Sequence, residues 1–145
     1  MIEGVKITPL KTIADDRGKI MHMLRSDAEH FSKFGEVYFS FVNNGVIKAW
    51  HYHKEMTINY AVPVGKIDFV LYDSREESST FGETQVITMS PEDYFLVTVP
   101  PRVWNGFKGL STEPAMVVNC TDIPHRGDEI ERLDFNTDKI PFKWD

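Results

Sequence analysis

Apolar and polar residues alternate with a period of two through most of this chain, in segments rich in Val, Ile, Phe and Tyr such as EVYFSFV (36–42) and IDFVLYD (67–73). That period puts successive side chains on opposite faces of an extended strand, whereas an amphipathic helix needs recurrence every three to four residues. The pattern predicts strands near 4–9, 18–25, 36–42, 46–53, 56–63, 66–73, 84–89, 94–99, 103–109 and 115–121. Turn chemistry separates them: NNG at 43–45, PVG at 63–65, SPED at 90–93 and PP at 100–101. Only SDAEHFSKF, residues 26–34, reads as helical, with Ser26 and Glu29 spaced as a capping box and Phe31 and Phe34 on one helical face. Many short strands at close spacing predict an all-β sandwich or jelly roll, one domain spanning 1–145 with a single short helix near 26–34.

Charge and cysteine usage narrow the function. The net charge is −6, and lysine and arginine form no run. A nucleic-acid groove needs a basic patch, so no DNA or RNA partner is expected. The N-terminal MIEGVKITPL lacks the apolar core of a signal peptide, and no stretch approaches the ~20 apolar residues of a membrane span. Cys120 is the only cysteine and cannot form an internal disulfide. It reads as a small buried hydrophobe, and the chain as a cytoplasmic protein without a membrane partner.

Within GVIKAWHYHKEMTINYAVPVG (45–65), His51 and His53 fall one residue apart on a strand. They share a face, about 7 Å apart, with Ile47 and Ala49, while Lys48, Trp50 and Tyr52 point the other way. The frame fits the cupin pattern Gly-x5-His-x-His-x3-4-Glu-x6-Gly from Gly45 to Gly65. The glutamate slot falls on Thr57 or Ile58, and the histidine slot of the second cupin motif, in PPRVWN, falls on Asn105. Two imidazoles, with Glu55 as an off-pattern third donor, make a poor transition-metal site, so no metal or other cofactor is expected. Acid–base chemistry remains, because an imidazole titrates near ~6.5 and is a usable base when neutral.

Five segments extend the pattern: DDRG at 15–18, KAWHYH at 48–53, YDSREESSTFGE at 72–83, VPPRVWNGFKGLS at 99–111 and IPFKW at 140–144. With them the chain resembles the dTDP-4-dehydrorhamnose 3,5-epimerase family of metal-independent cupins. VYFSF at 37–41 followed by HYHK adds a local resemblance to the dTDP-sugar 3,4-ketoisomerases. The resemblance implies proton transfer beside the carbonyl of a dTDP-linked 4-keto-6-deoxyhexose, in deoxysugar and surface-polysaccharide biosynthesis. His51 matches the family's base. His53 stands where the epimerases usually carry glutamine and leans toward the isomerases. Tyr38 matches a tyrosine near the isomerase site. Arg17 matches the arginine that reaches the nucleotide's phosphates, and Lys48 supplies a point charge where arginine is usual.

The resemblance also exposes departures. The epimerase's acid tyrosine aligns with Val118, the lysine that steadies the enolate with Ile58, and the histidine of the Gly-Phe block with Asn105. A one-face proton shuttle through His51, His53 and Tyr38, or an epimerase acting at one carbon, fits these residues better than a double epimerase. Arg102 is expected at the cavity rim as a phosphate ligand, with Asn105 and Trp104 on the pocket wall. The family pairs through sheet edges, so a homodimer is expected, with Arg17 acting in the partner's pocket. Two alternatives stand beside this reading: a non-catalytic cupin that binds a nucleotide sugar or another small ligand, and a metal-dependent cupin.

Overall fold

A computed structural model describes residues 1–145. Twelve strands form it: β1 (Lys6–Pro9), β2 (Thr12–Asp15), β3 (Gly18–Met21), β4 (Glu36–Val42), β5 (Ile47–His53), β6 (Ile58–Val64), β7 (Ile67–Asp73), β8 (Thr84–Met89), β9 (Phe95–Val99), β10 (Val103–Gly109), β11 (Ala115–Thr121) and β12 (Ile130–Arg132). Two five-stranded antiparallel sheets, ordered β1-β9-β6-β11-β4 and β12-β5-β10-β7-β8, make the sandwich, and β2 and β3 pair only with each other. This is the jelly roll that the period-two pattern predicts, with strand bounds close to expectation.

The inner faces supply the core. Ile58, Tyr60 and Val62 of β6 pack toward Ile67, Phe69 and Leu71 of β7, with Val97, Val99, Phe107 and Val117 between them. Full burial of side chains such as Phe69 or Leu71 contributes roughly 1.5–3 kcal/mol each. A second apolar layer lies on the outer face of the second sheet. There Trp50, Val70 and Ile140 are buried among Ala49, Tyr72, Trp104, Leu133, Phe142 and Trp144, so the C-terminal segment covers that sheet.

Three expectations need correction. Residues 26–30 form turns and 31–34 are irregular, with no helix; the turns are closed by Ala28 N–H to Arg25 O and Phe31 N–H to Ala28 O, both 3.1 Å. Nine residues are too few to hold a helix without a packed face, and Phe34 is exposed. Strand β3 stops at Met21 instead of residue 25. Strands β2 and β12 were not expected at all. In the β2–β3 hairpin, Asp16 and Arg17 form the two-residue turn, and the Asp15 carboxylate accepts the Arg17 backbone N–H at 2.8 Å. The DDRG stretch is therefore, in this chain, a hairpin turn.

The string from Asp73 to Thr80 is a structural clamp. The wholly buried Asp73 accepts from the backbone N–H and guanidinium of Arg75, Ser78 Oγ and Thr80 Oγ1. Arg75 in turn donates to the carbonyl of Glu3 and ties down the N-terminal segment. Burial alone would push the Asp73 carboxyl up, but these donors outweigh it and hold the group far below the usual carboxylate range.

Candidate active site

Strand β5 is not a regular strand, and its irregularity builds the site. Against β10, Asn105 pairs with His51 but Gly106 pairs with Ala49, so Trp50 is the extra residue of a bulge. A Cβ on Gly106 would lie 2.4 Å from the Ala49 Cβ, so glycine is what lets the two strands approach there. Ala49 and Trp50 both turn outward into the aromatic layer, and the alternation reverses across them. Lys48, His51 and His53 consequently face inward together. This corrects the expected parity, which put Ile47 and Ala49 with the histidines and Lys48 opposite.

The inward side chains line a cavity of about 280 Å3 between the sheets. Strand register resolves it into two facing rows. On the first sheet Asn119 of β11 pairs with Tyr38 of β4 on one side and Tyr60 of β6 on the other. On the second, His51 pairs with Arg132 of β12 on one side and Asn105 of β10 on the other. The rows meet at one end, where the Tyr60 hydroxyl donates to Asn105 Oδ1 at 3.1 Å. At the other end lie Tyr38 and Arg132, on edge strands and open to water. Lys48 spans the rows, its Nζ donating to Ser40 Oγ at 3.0 Å.

Electrostatics sort these groups by role. Burial pushes the His51 imidazole down to about 4, and the nearby charges of Arg132, His53 and Lys48 push the same way. His51 is therefore neutral at pH 7, with a lone pair available. Burial, then the charge of Glu36, raises the Tyr38 phenol against the opposing pull of Arg132. Burial also raises Tyr60, with Tyr38 adding to it. Both phenols keep their protons. The cavity thus sets a neutral base on one wall, proton-holding phenols on the other, and two cations beside them.

Several expected residues lie elsewhere. Arg17 is 86% exposed, ion-paired only with Asp15 at 2.6 Å, and does not line the cavity of its own chain. Trp104 faces outward, its ring 5.0 Å from Tyr52, because it has the opposite parity to Asn105 on β10. Arg102 follows the outer surface too, paired with Glu77 at 2.6 Å. Asn105 is buried, accepts from the Tyr60 hydroxyl and does not itself line the cavity. Glu55, weighed as a third metal donor, points outward to Arg126. No group of three or more His, Cys, Asp or Glu side chains converges in a metal-ligating arrangement, and the residues present do not fit a transition metal. The sequence reading missed Glu129, whose carboxylate holds His53, and the cavity residues Arg132, Asn119, Glu36 and His125. Strand pairing brings Arg132, Asn119 and Glu36 to the cavity, and the loop between β11 and β12 brings His125 and Glu129; no local motif marks them. The β11 position facing inward is Asn119, so the wall where the resemblance places the acid tyrosine carries an amide flanked by tyrosines one strand away on each side.

The fold and the sequence are shared with known proteins. A crystal structure of a dTDP sugar isomerase from Desulfovibrio desulfuricans G20 superposes with a TM-score of 0.96 at 47% identity, covering 99% of this chain and 92% of that one. The spore coat polysaccharide biosynthesis protein SpsL of Bacillus subtilis is 34% identical over 99% of this chain and 97% of its own length. The probable low-salt glycan biosynthesis epimerase Agl13 of Haloferax volcanii is also 34% identical, over 81% of this chain and 77% of its own. The family model for dTDP-4-dehydrorhamnose 3,5-epimerase matches residues 1–145. By sequence and by fold, the chain belongs to the dTDP-4-dehydrorhamnose 3,5-epimerase family.

Proposed function

We propose that this protein epimerises or isomerises a dTDP-linked 4-keto-6-deoxyhexose by moving a proton beside the sugar's carbonyl, in the building of deoxysugars and surface polysaccharides. The observation that carries the reading is the pair of facing rows, with neutral His51 on one wall and protonated Tyr38 on the other. The 4-keto group acidifies the adjacent C–H bond. His51 takes that proton, and the electron pair moves into the carbonyl as an enolate. Lys48 and Arg132 supply positive charge near the developing oxyanion. Reprotonation from the opposite side inverts the carbon, and Tyr38 stands on the wall from which that proton must come. In this reading Tyr38 acts from the sheet opposite the histidines, as a one-carbon epimerase requires. His51, His53 and Tyr38 are the catalytic residues of this proposal, and Asn105 holds Tyr60 where the sheets join.

A second histidine on the base wall favours a related reading, 3,4-ketoisomerisation, in which one proton passes between neighbouring carbon and oxygen atoms. Incubation with dTDP-4-keto-6-deoxyglucose in deuterated water, followed by NMR, separates the outcomes. Deuterium at C3 or C5 with inversion supports epimerisation, and a 3-keto product supports isomerisation. Binding without exchange would leave only a binding module.

The protein acts as a homodimer of one 145-residue domain in this proposal. Edge strand β4 exposes Val37, Phe39 and Phe41 on its outer face, and the β2–β3 hairpin stands free of both sheets. Covering that face with a second copy lets Arg17 reach the partner's cavity and grip phosphate, a role its own cavity does not offer. A nucleotide-sugar substrate and an unpaired cysteine support a cytoplasmic setting. A stable monomer by light scattering at micromolar concentration would remove both the dimer and the role of Arg17.

A further inference from the structure

Glu129 stands just before β12, and its side chain is wholly buried. Its Oε2 accepts the backbone N–H groups of Glu55 at 3.1 Å and Met56 at 2.9 Å. Its Oε1 lies 2.7 Å from Nδ1 of His53. No lysine or arginine pairs with it, so the only group able to balance its charge is the His53 imidazole. A carboxylate withdrawn from water and left without a cation is costly, and proteins keep one only when all its lone pairs are used. Burial by itself would push this carboxyl up, but the donations from His53 and the two backbone N–H groups hold it below its usual range. It is therefore ionised at neutral pH and accepts only.

An acceptor at 2.7 Å from Nδ1 requires the proton to sit on Nδ1. Nε2 is then the nitrogen that His53 offers to the cavity it lines. Tethering the 55–56 turn needs one oxygen, and the second oxygen is committed wholly to the histidine. We propose that Glu129 is a positioning residue that locks His53 in the Nδ1–H tautomer, so that His53 presents an Nε2 lone pair beside His51 and works as a second proton acceptor of the site. The proposal rests on the function above. In the step assigned to it, Nε2 takes a proton from the substrate as a C–H or O–H bond breaks, and the bonding pair stays on the sugar. Glu129 stabilises the imidazolium without taking the proton, which returns to the sugar in the second half-reaction. Nothing is oxidised or reduced.

Two measurements test this. In wild-type protein labelled with 15N-histidine, the His53 Nδ1 is expected to carry the proton and Nε2 to show the unprotonated signature at pH 8. An Nε2–H tautomer at His53 overturns the proposal, whatever the activity. Glu129→Gln keeps the volume and an acceptor for the turn but puts an amide N–H against Nδ1. It is expected to move the tautomer toward Nε2–H and lower kcat by ~10²–10⁴ with KM little changed, and Glu129→Asp to restore part of the loss. A folded Glu129→Gln protein with wild-type kcat also overturns it. Should wild type turn over no nucleotide 4-keto sugar, the functional reading fails by itself, and the tautomer still decides the role of Glu129.

Discussion

Strands β4 and β5 border the same cavity with their inner faces and differ in what covers their backs. Trp50 of β5 turns outward into the layer of Phe142 and Trp144 and is 1% exposed, whereas Phe39 of β4 turns outward at 60%. The base wall is thus braced by its own chain. The acid wall is an edge strand with an apolar back, the kind of surface that a second copy covers. On that comparison the histidine strand is backed within one subunit, and the proposed dimer is what would back the strand of Tyr38.

The sharpest test divides the walls by chemistry. His51→Asn is expected to lower solvent deuterium incorporation by ~10²–10⁴ while nucleotide binding stays nearly intact. Tyr38→Phe is expected to retain much of the deuterium exchange and lose product formation, because the phenol acts after the base. Equal loss of both signals in Tyr38→Phe would break the division. The backs of the strands come next. Trp50→Ala is expected to destabilise by about 3–5 kcal/mol in urea unfolding. Phe39→Asp should instead halve the mass seen by light scattering and leave the monomer folded. A Phe39→Asp protein of unchanged mass would show that β4 needs no cover.

Acidity gives a smaller effect. His51 is held at about 4 in the folded protein against an unfolded value near 6.5, so below 6.5 the unfolded chain binds the extra proton. Stability from this group is complete above pH 6.5, falls as pH drops and levels off near 4. The total is about 3 kcal/mol. Chemical denaturation from pH 8 to 4 measures it, and His51→Asn should flatten that part of the curve. The smallest effect is expected at Arg17→Ala, with nucleotide-sugar affinity reduced roughly tenfold and kcat kept at saturation. A change in kcat alone would place Arg17 with the chemistry instead of the phosphates.

Much of the fold was legible because strand period two is written in most segments. The pairing of His51 with His53 was legible for the same reason. What escaped notice depended on contacts between distant residues. The bulge at Trp50, which swings Lys48 inward, is permitted by Gly106 on another strand. Glu129 gains its meaning from a residue 76 positions earlier. Strand β12 is three residues long and carries Glu and Arg at consecutive positions, so nothing local separates it from a charged loop. Residues 26–34 misled for the opposite reason. Their helical signals were local and sound, but no packed partner converted them into a helix.

The bond between Tyr60 and Asn105 joins the two sheets at one end of the cavity, and edge strands β4 and β12 flank the other end. A long substrate can enter between those strands, sugar ring foremost, leaving its diphosphate and base in the mouth. Under the proposed function, the sugar would be read at the Tyr60–Asn105 end and the nucleotide nearer β4 and β12. Redesign at the mouth could exchange one nucleotide carrier for another without disturbing the proton chemistry, and substitution at the Tyr60–Asn105 end could alter the accepted sugar without changing the carrier.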